Sequence, residues 1–361
     1  MEKRVTIKDI ALRVGVSPMT VSKALNRKPQ VSEKKRELIL ETAREMNYIP
    51  NASAKRLIQK EKKIAAIFPE NPAEFYSYVE EGIRRAEQEL VDSKCRVGYY
   101  PYSSLDSVGE VSRCIRQALD DGMDGLVLTG NHHYEEYRGA LDCVIARKIP
   151  VLYNTICGEF QPGIIGSVRL NSELAGRVAA DFHALYLNHA PVRRAKIAIF
   201  VGDKSVSVHM DCVKGYLENA RKYGMEIIGI YETHEDKTIS YRLTGEVLEA
   251  YPDIGGIYIS SYNAVGVCDW LSEHGRQEQV IAVGHDLYPE LAQRMKAGAL
   301  KASLFQNQFE YGRESIYIML EYLNGLRAEK DCTKIKIPRL VTRSMLPYFP
   351  EYTKFTVEQF D

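Results

Sequence analysis

Residues 6–26 read TIKDIALRVGVSPMTVSKALN, and this stretch decides how the N-terminal part of the chain folds. Thr6 followed three residues later by Asp9 predicts a helix start of the capping-box kind, and Ile7, Ile10, Ala11 and Val14 then recur at helical spacing. Gly15 and Val16 read as a tight turn. Ser17 then caps a second helix with Pro18 at its first position, where a missing N–H costs nothing. Val21, Ala24 and Leu25 supply the inner face of that helix, while Thr20, Ser22 and Lys23 face outward. Two helices joined by so short a turn, the second short and polar outside, predict a helix-turn-helix whose second helix fits the major groove of DNA.

Downstream, a third helix is predicted from Ser32, with Val31 before it as a staple and Leu38, Ile39, Ala43 and Met46 inward, until Tyr48 and Pro50 break the pattern. Charge supports the same reading. The 361 residues carry no net charge, but residues 1–60 hold 14 basic against 6 acidic side chains, leaving 34 against 42 for the rest. A head of +8 on a body of −8 suits a polyanion-binding module fused to a module with another task.

Past the charged linker Lys60 to Lys63, apolar runs alternate with amphipathic stretches. The runs are 64-IAAIF, 96-RVGYY, 125-GLVLT, 150-PVLYN, 164-IIGSV, 196-KIAIFVG, 226-EIIGIYE, 255-GGIYIS and 280-VIAVG. The alternation predicts an α/β body of parallel sheets with right-handed crossovers. So many strands exceed one comfortable sheet, so two doubly wound lobes are expected. In open sheets of this kind ligands bind beyond the carboxyl ends of strands. Asn71, Phe75, Tyr76, Asn131, Asn154, Asp203, Ser260, Ser261 and Asp286 fall at such ends and are the candidate ligand-binding residues.

The head, TIKDIALRVGVSPMTVSKALN followed by VSEKKRELILETAREMNYIPNASAKRL, resembles the DNA-binding head of the lactose-repressor (LacI) family over its full length. The resemblance implies base contacts from Pro18, Met19 and Lys23, with Thr20 and Ser22 suited to phosphates. Thr6, Ser17 and Asn26 complete the candidate DNA-binding set in the head. It also implies a hinge helix over 50-PNASAKRL, with Asn51 as cap, Ala54 and Lys55 on the helix, and Leu57 as an apolar wedge for a minor-groove step.

Segments such as 72-PAEFYSYVEEG, 150-PVLYNT, 201-VGDKSVSVHMDCVKGY and 280-VIAVGHDLYPEL resemble the sugar-binding-protein-like core of the same family, over residues 64 to about 345. By that resemblance Asp286 and Gln306 reach the ligand and Asn154 lies under the cleft. Cys212 stands where many relatives carry an arginine, Leu170 where an Asp is usual, and Ser260 and Ser261 where an Asn-Asp pair is usual. Lys204 and His209 are the nearby groups that could replace the arginine. The expected domains are a head and hinge over 1–60, an N-lobe of about 64–163 and 308–333, a C-lobe of about 164–306 and 334–345, and a tail over 346–361.

The resemblance implies a DNA-binding regulator, with repression the expected sign, a homodimer on a roughly palindromic operator, and a small polar effector of the sugar class. The helix with Val265, Cys268 and Trp270 is expected near the subunit contact. The alternatives, a cytoplasmic sugar- or nucleotide-processing enzyme and a transporter solute-binding protein, find little support. The chain has no GxxxxGK[ST], GxGxxG, HExxH or GxSxG. Seven cysteines, all at least ten residues apart, give neither a disulfide framework nor a zinc spacing, and His132 with His133 lacks a third ligand. No catalytic residue, cofactor or metal is expected. The charged start MEKRVTIKD and the lack of a long apolar run lead to an expectation of cytoplasmic location without a membrane partner.

Overall fold

The computed structural model describes residues 7–25, 31–46, 60–104, 107–130, 134–155, 163–187 and 195–353. By contact they form two units, a head drawn from Met1–Glu61 and a body drawn from Lys62–Val91 and Cys95–Asp361. The hinge positions Asn51, Ala54, Lys55 and Leu57, together with Thr6, Asn26 and Asn131, lie outside the described residues.

In the head, α1 spans Ile7–Val14, α2 Pro18–Leu25 and α3 Glu33–Glu45. Gly15 takes a φ of 71°, which turns the chain between the first two helices. Ile10, Ala11, Val21, Ala24, Ile39 and Ala43 form the core, edged by Val14, Val16, Leu25, Val31 and Met46. Leu38, expected inward, is 51% exposed. The buried stripe of α3 is Ile39, Thr42 and Ala43, and a residue one position before it is rotated by about 100° toward solvent. Arg36 was not anticipated. Its guanidinium donates to the carbonyls of Ala24 (3.4 Å) and Val31 (3.3 Å), which ties down the last turn of α2.

The first half of the body runs β1 Lys62–Asn71, α4 Ala73–Glu89, β2 Cys95–Ser104, α5 Val108–Asp120, β3 Gly125–Thr129, α6 Tyr134–Ala146, β4 Val151–Asn154 and β5 Ile164–Leu170. The second runs α7 Ser172–Leu187, β6 Lys196–Val201, α8 Ser207–Lys222, β7 Glu226–Glu232, α9 Lys237–Ala250, β8 Gly256–Ile259, α10 Ala264–Glu273, β9 Ile281–His285, α11 Pro289–Lys296 and β10 Ala302–Phe305. Then come α12 Gln308–Leu323, β11 Lys334–Lys336, β12 Arg339–Thr342 and a short helix α13 Pro350–Thr353.

Two six-stranded sheets result, ordered β11-β5-β4-β3-β1-β2 and β12-β10-β9-β8-β6-β7. All pairings are parallel except β10 with β12. Strands such as β3 and β9 are buried along their whole length because helices cover both faces, which is why they read as unbroken apolar runs. The short strands β10, β11 and β12 were not among the runs picked out by sequence.

The expected lobe boundaries need correction. Strand β5 pairs with β4, from Val151↔Ile164 onward, and β11 pairs with β5, so residues 164–170 and 334–336 belong to the N-lobe. An apolar run shows that a strand is buried but not which sheet it joins. The chain therefore passes between lobes three times, at Leu170–Ser172, at Phe305–Gln308 and at Lys336–Arg339. The segment set apart as a tail also packs, with Leu346 and Tyr352 in the C-lobe core.

Helices cross closely where glycines remove side chains. A Cβ on Gly82 of α4 would lie 1.9 Å from the Phe309 carbonyl oxygen of α12, and one on Gly312 would lie 1.9 Å from that of Val79. Gly176 and Gly215 let α7 and α8 meet in the same way. Among the described residues no helix is long and apolar enough to cross a membrane. No group of three or more His, Cys, Asp or Glu there is placed to hold a metal ion.

Candidate functional site

The cleft between the lobes forms a pocket that is the candidate small-molecule site. Strand ends and helix starts deliver its walls. From the N-lobe come Pro72, Phe75 and Tyr76 at the start of α4, Thr155 after β4, Leu170 ending β5 and Tyr311 of α12. From the C-lobe come Val208, His209 and Cys212 of α8, Glu235 after β7, Ser260, Ser261 and Tyr262 after β8, and His285 and Asp286 at the end of β9. Gln306 sits on the crossing segment itself.

Asp286 anchors the polar end. Its Oδ1 accepts from Nε2 of Gln306 and Nε2 of Gln308, each at 2.6 Å, and Gln306 Oε1 accepts from the Tyr311 hydroxyl at 3.1 Å. Burial pushes the Asp286 carboxyl up to about 7, with the Gln306 amide opposing. Glu235 lines the cleft opposite a second charged position. Burial pushes its carboxyl up to about 8, the charge of Asp286 adds to this, and Ser261 opposes. A Cβ on Gly202 would lie 1.9 Å from Glu235 Oε1, so this glycine makes the room that the carboxyl fills.

His209 stands beside it. Its Nδ1 lies 3.2 Å from both the N–H and the carbonyl oxygen of Asp203, and its Nε2 lies 3.4 Å from Glu235 Oε1. Burial lowers the His209 pKa and takes that of His285 down to about 3, which leaves both rings neutral near pH 7. Among the described residues that line the cleft there is no Lys or Arg. Backbone strain gathers at the same place: Thr155, Glu235 and Asp286 take φ values of 68°, 54° and 68°, a region costing non-glycine residues about 1–3 kcal/mol each.

Of the sequence candidates, Phe75, Tyr76, Cys212, Ser260, Ser261, Asp286 and Gln306 line the cleft together. Three others do not. Asn71 is exposed and donates to the Ser103 carbonyl at 2.9 Å. Asp203 accepts from the Ser205 N–H at 2.7 Å, and Ser205 holds its carboxyl below the usual range. Asn154 is fully buried next to the lining residue Thr155, and its amide has no hydrogen-bond partner among the described residues. Sequence reading missed Glu235, Tyr262, Thr155 and His285, and named His209 without a place.

On the head, Ser17 Oγ accepts the Thr20 N–H at 3.1 Å and contacts the Thr20 hydroxyl at 2.9 Å, capping α2 as expected. Ser17, Pro18 and Met19 are exposed, and Met19 is 68% so. Thr20, Ser22 and Lys23 are half-buried.

Residues 6–51 match the family described as bacterial regulatory proteins, lacI family, and residues 64–327 match the periplasmic binding protein domain. The chain belongs to the LacI family. This LacI-family chain is a DNA-binding transcriptional regulator, with the helix-turn-helix as its DNA-binding element. It is similar to the HTH-type transcriptional regulator MalR of Streptococcus pneumoniae, at 24% identity over 335 residues covering 90% of this chain and 95% of that one. The ribose operon repressor of Halalkalibacterium halodurans is 27% identical over 270 residues, 71% of each chain. The body has the fold of GanP, a glucose-galactose binding protein from Geobacillus stearothermophilus, with a TM-score of 0.70 at 20% identity, covering 80% of this chain and 100% of that one.

Proposed function

We propose that this LacI-family regulator is a repressor that binds a roughly palindromic operator as a homodimer, with a sugar-class effector in the interlobe cleft controlling its operator affinity. The observation that carries this is the cleft: aromatic rings of Phe75, Tyr76 and Tyr262 line it together with the acid of Asp286 and the amide of Gln306, at a point where the chain crosses between lobes. Hydroxyl-rich ligands use such pairs, acids and amides for their hydroxyls and rings for their C–H faces. A ligand gripped from both lobes has different contacts in open and closed forms, so it can bias the distance between two heads. The ribose operon repressor and the glucose-galactose binding protein, each similar to this chain, support a sugar.

The DNA side of the proposal assigns base contacts to Pro18, Met19 and Lys23, phosphate contacts to Thr20 and Ser22, and the relay to the hinge segment from Asn51 to Leu57. Two half-sites related by a two-fold axis demand two heads, and the body supplies the dimer.

The test is a thermal-shift screen of the full chain over monosaccharides, polyols and purines, followed by operator-shift titration with each hit. A hit that changes operator affinity, with the reciprocal change in its own affinity for the operator complex, is the expected result. Hits that bind yet leave operator affinity untouched overturn the control mechanism, and a chain monomeric at micromolar concentration overturns the homodimer.

A further inference from the structure

Among the described residues that line it, the cleft has two carboxyl groups and no Lys or Arg to balance them. Asp286 spends its Oδ1 on two amide donors, whereas Glu235 Oε2 is buried with no hydrogen-bond partner among the described residues. Glu235 stands at the mouth, since it and Tyr262 also line the open groove outside. In that groove Glu74, Asp236 and Glu290 outnumber Lys237, which lies 4.0 Å from Glu290. An approaching solute therefore meets negative potential first and then two acids with no Lys or Arg beside them among the described lining residues.

Resting on the reading that this cleft receives the effector, we propose that the effector is a hydroxylated amine, such as an amino sugar or amino polyol, whose ammonium is held between Glu235 and Asp286. Burying a carboxylate without a partner is costly, and a cation brought by the ligand removes that cost for both acids at once. The groups facing Glu235 leave this role open. His209 from α8 and His285 beside Asp286 are neutral, Asp203 after β6 adds negative charge, and Tyr76 of α4 and Tyr262 after β8 carry hydroxyls with raised pKa values. An anionic effector, a sugar phosphate or a uronate, finds no Lys or Arg among the described lining residues and is repelled by the ionised fraction of the two acids. Both carboxyls are held partly protonated near neutral pH, so an arriving ammonium must drive protons off them.

The experiment is calorimetric titration of the full-length dimer near neutral pH with matched pairs: glucamine against sorbitol, glucosamine against glucose, and galactosamine against galactose. The amine member of at least one pair should bind about ten- to a hundredfold tighter than its neutral partner. Repeating the glucamine titration in two buffers of different ionisation enthalpy should show proton release. Glu235→Gln should remove the preference for the amine over its neutral partner and reduce the proton release. A neutral member that binds as tightly as its amine, or amine binding without proton release, overturns the proposal. If neutral sugars alone bind and alter operator affinity, the proposal fails and the repressor reading stands. If no member of any pair and no hit from the wider screen binds, both fail.

Discussion

Gln308, the first residue of an N-lobe helix, donates from Nε2 to Oδ1 of Asp286 at a C-lobe strand end, 2.6 Å away. One hydrogen bond thus joins the lobes at the floor of the cleft, next to the parallel bond from Gln306 on the crossing segment. Asp286→Ala removes the acceptor of both. Hydrogen bonds to charged groups are worth about 1.5–3 kcal/mol, so effector affinity should fall by about ten- to over a hundredfold. Gln308→Ala leaves the Gln306 bond in place and should cost less. Calorimetry with the effector found by screening checks the order, and equal losses in the two variants would contradict it.

The raised carboxyls predict how stability follows pH. A buried acid whose folded pKa lies above its unfolded value binds more protons when folded, so its contribution is most favourable below about 4 and is lost as pH rises toward the folded value. For Glu235 that window runs from about 4.3 up to about 8, and for Asp286 from about 3.9 up to about 7. Glu235→Gln removes one of the two. Relative to the parent, this variant should gain stability between pH 5 and pH 8, on the order of a few kcal/mol at most. Urea unfolding at the two pH values measures this, and a constant difference between parent and variant would show that Glu235 ionises normally.

Close helix crossing makes a sharper test of packing. Gly82→Ala would set a Cβ 1.9 Å from the Phe309 carbonyl oxygen, whereas at Gly139 of α6 a Cβ meets nothing within 4 Å. The first should lower stability by at least about 1–3 kcal/mol. The second should be neutral or stabilising by up to about 1 kcal/mol, as expected for glycine within a helix. Melting temperatures that move equally would refute the crossing geometry.

The head offers a pair with separable outcomes. Ser17→Ala loses the cap of α2 and should cost about 0.5–2 kcal/mol of head stability, weakening all operator sequences together. Lys23→Ala should instead shift preference at one base pair by about 1–3 kcal/mol with the head still folded. Operator-shift assays across single-base variants distinguish the two patterns.

Much of this architecture is legible in the residues. Turn chemistry at Gly15 and Ser17 placed the first two helices, and nine apolar runs placed nine strands, because both signals are local. Lobe membership is not local. Strand β5 reads the same whichever sheet takes it, and only its pairing with β4 decides. Asp286 was marked by its strand end as well as by the family resemblance, and Gln306 by the resemblance alone. Glu235 did not, since a loop acid after a strand looks like any solvated acid until the backbone at φ 54° turns it inward and Gly202 leaves it space. Leu38 shows the opposite error, in which an apolar residue one step off the stripe was counted as core.

The three passages between lobes carry a consequence for biosynthesis. The N-lobe begins at β1, yet its helix α12 and edge strand β11 arrive only after the whole run of β6 to β10 has been made. At ~5–20 residues per second, the gap from Leu170 to Lys336 lasts roughly 10 to 30 s on the ribosome. During that interval the face of the first sheet that will receive Tyr311, Ile316 and Met319 stays open. The lobe started first is thus finished almost last, and its apolar face waits uncovered on the nascent chain until α12 emerges.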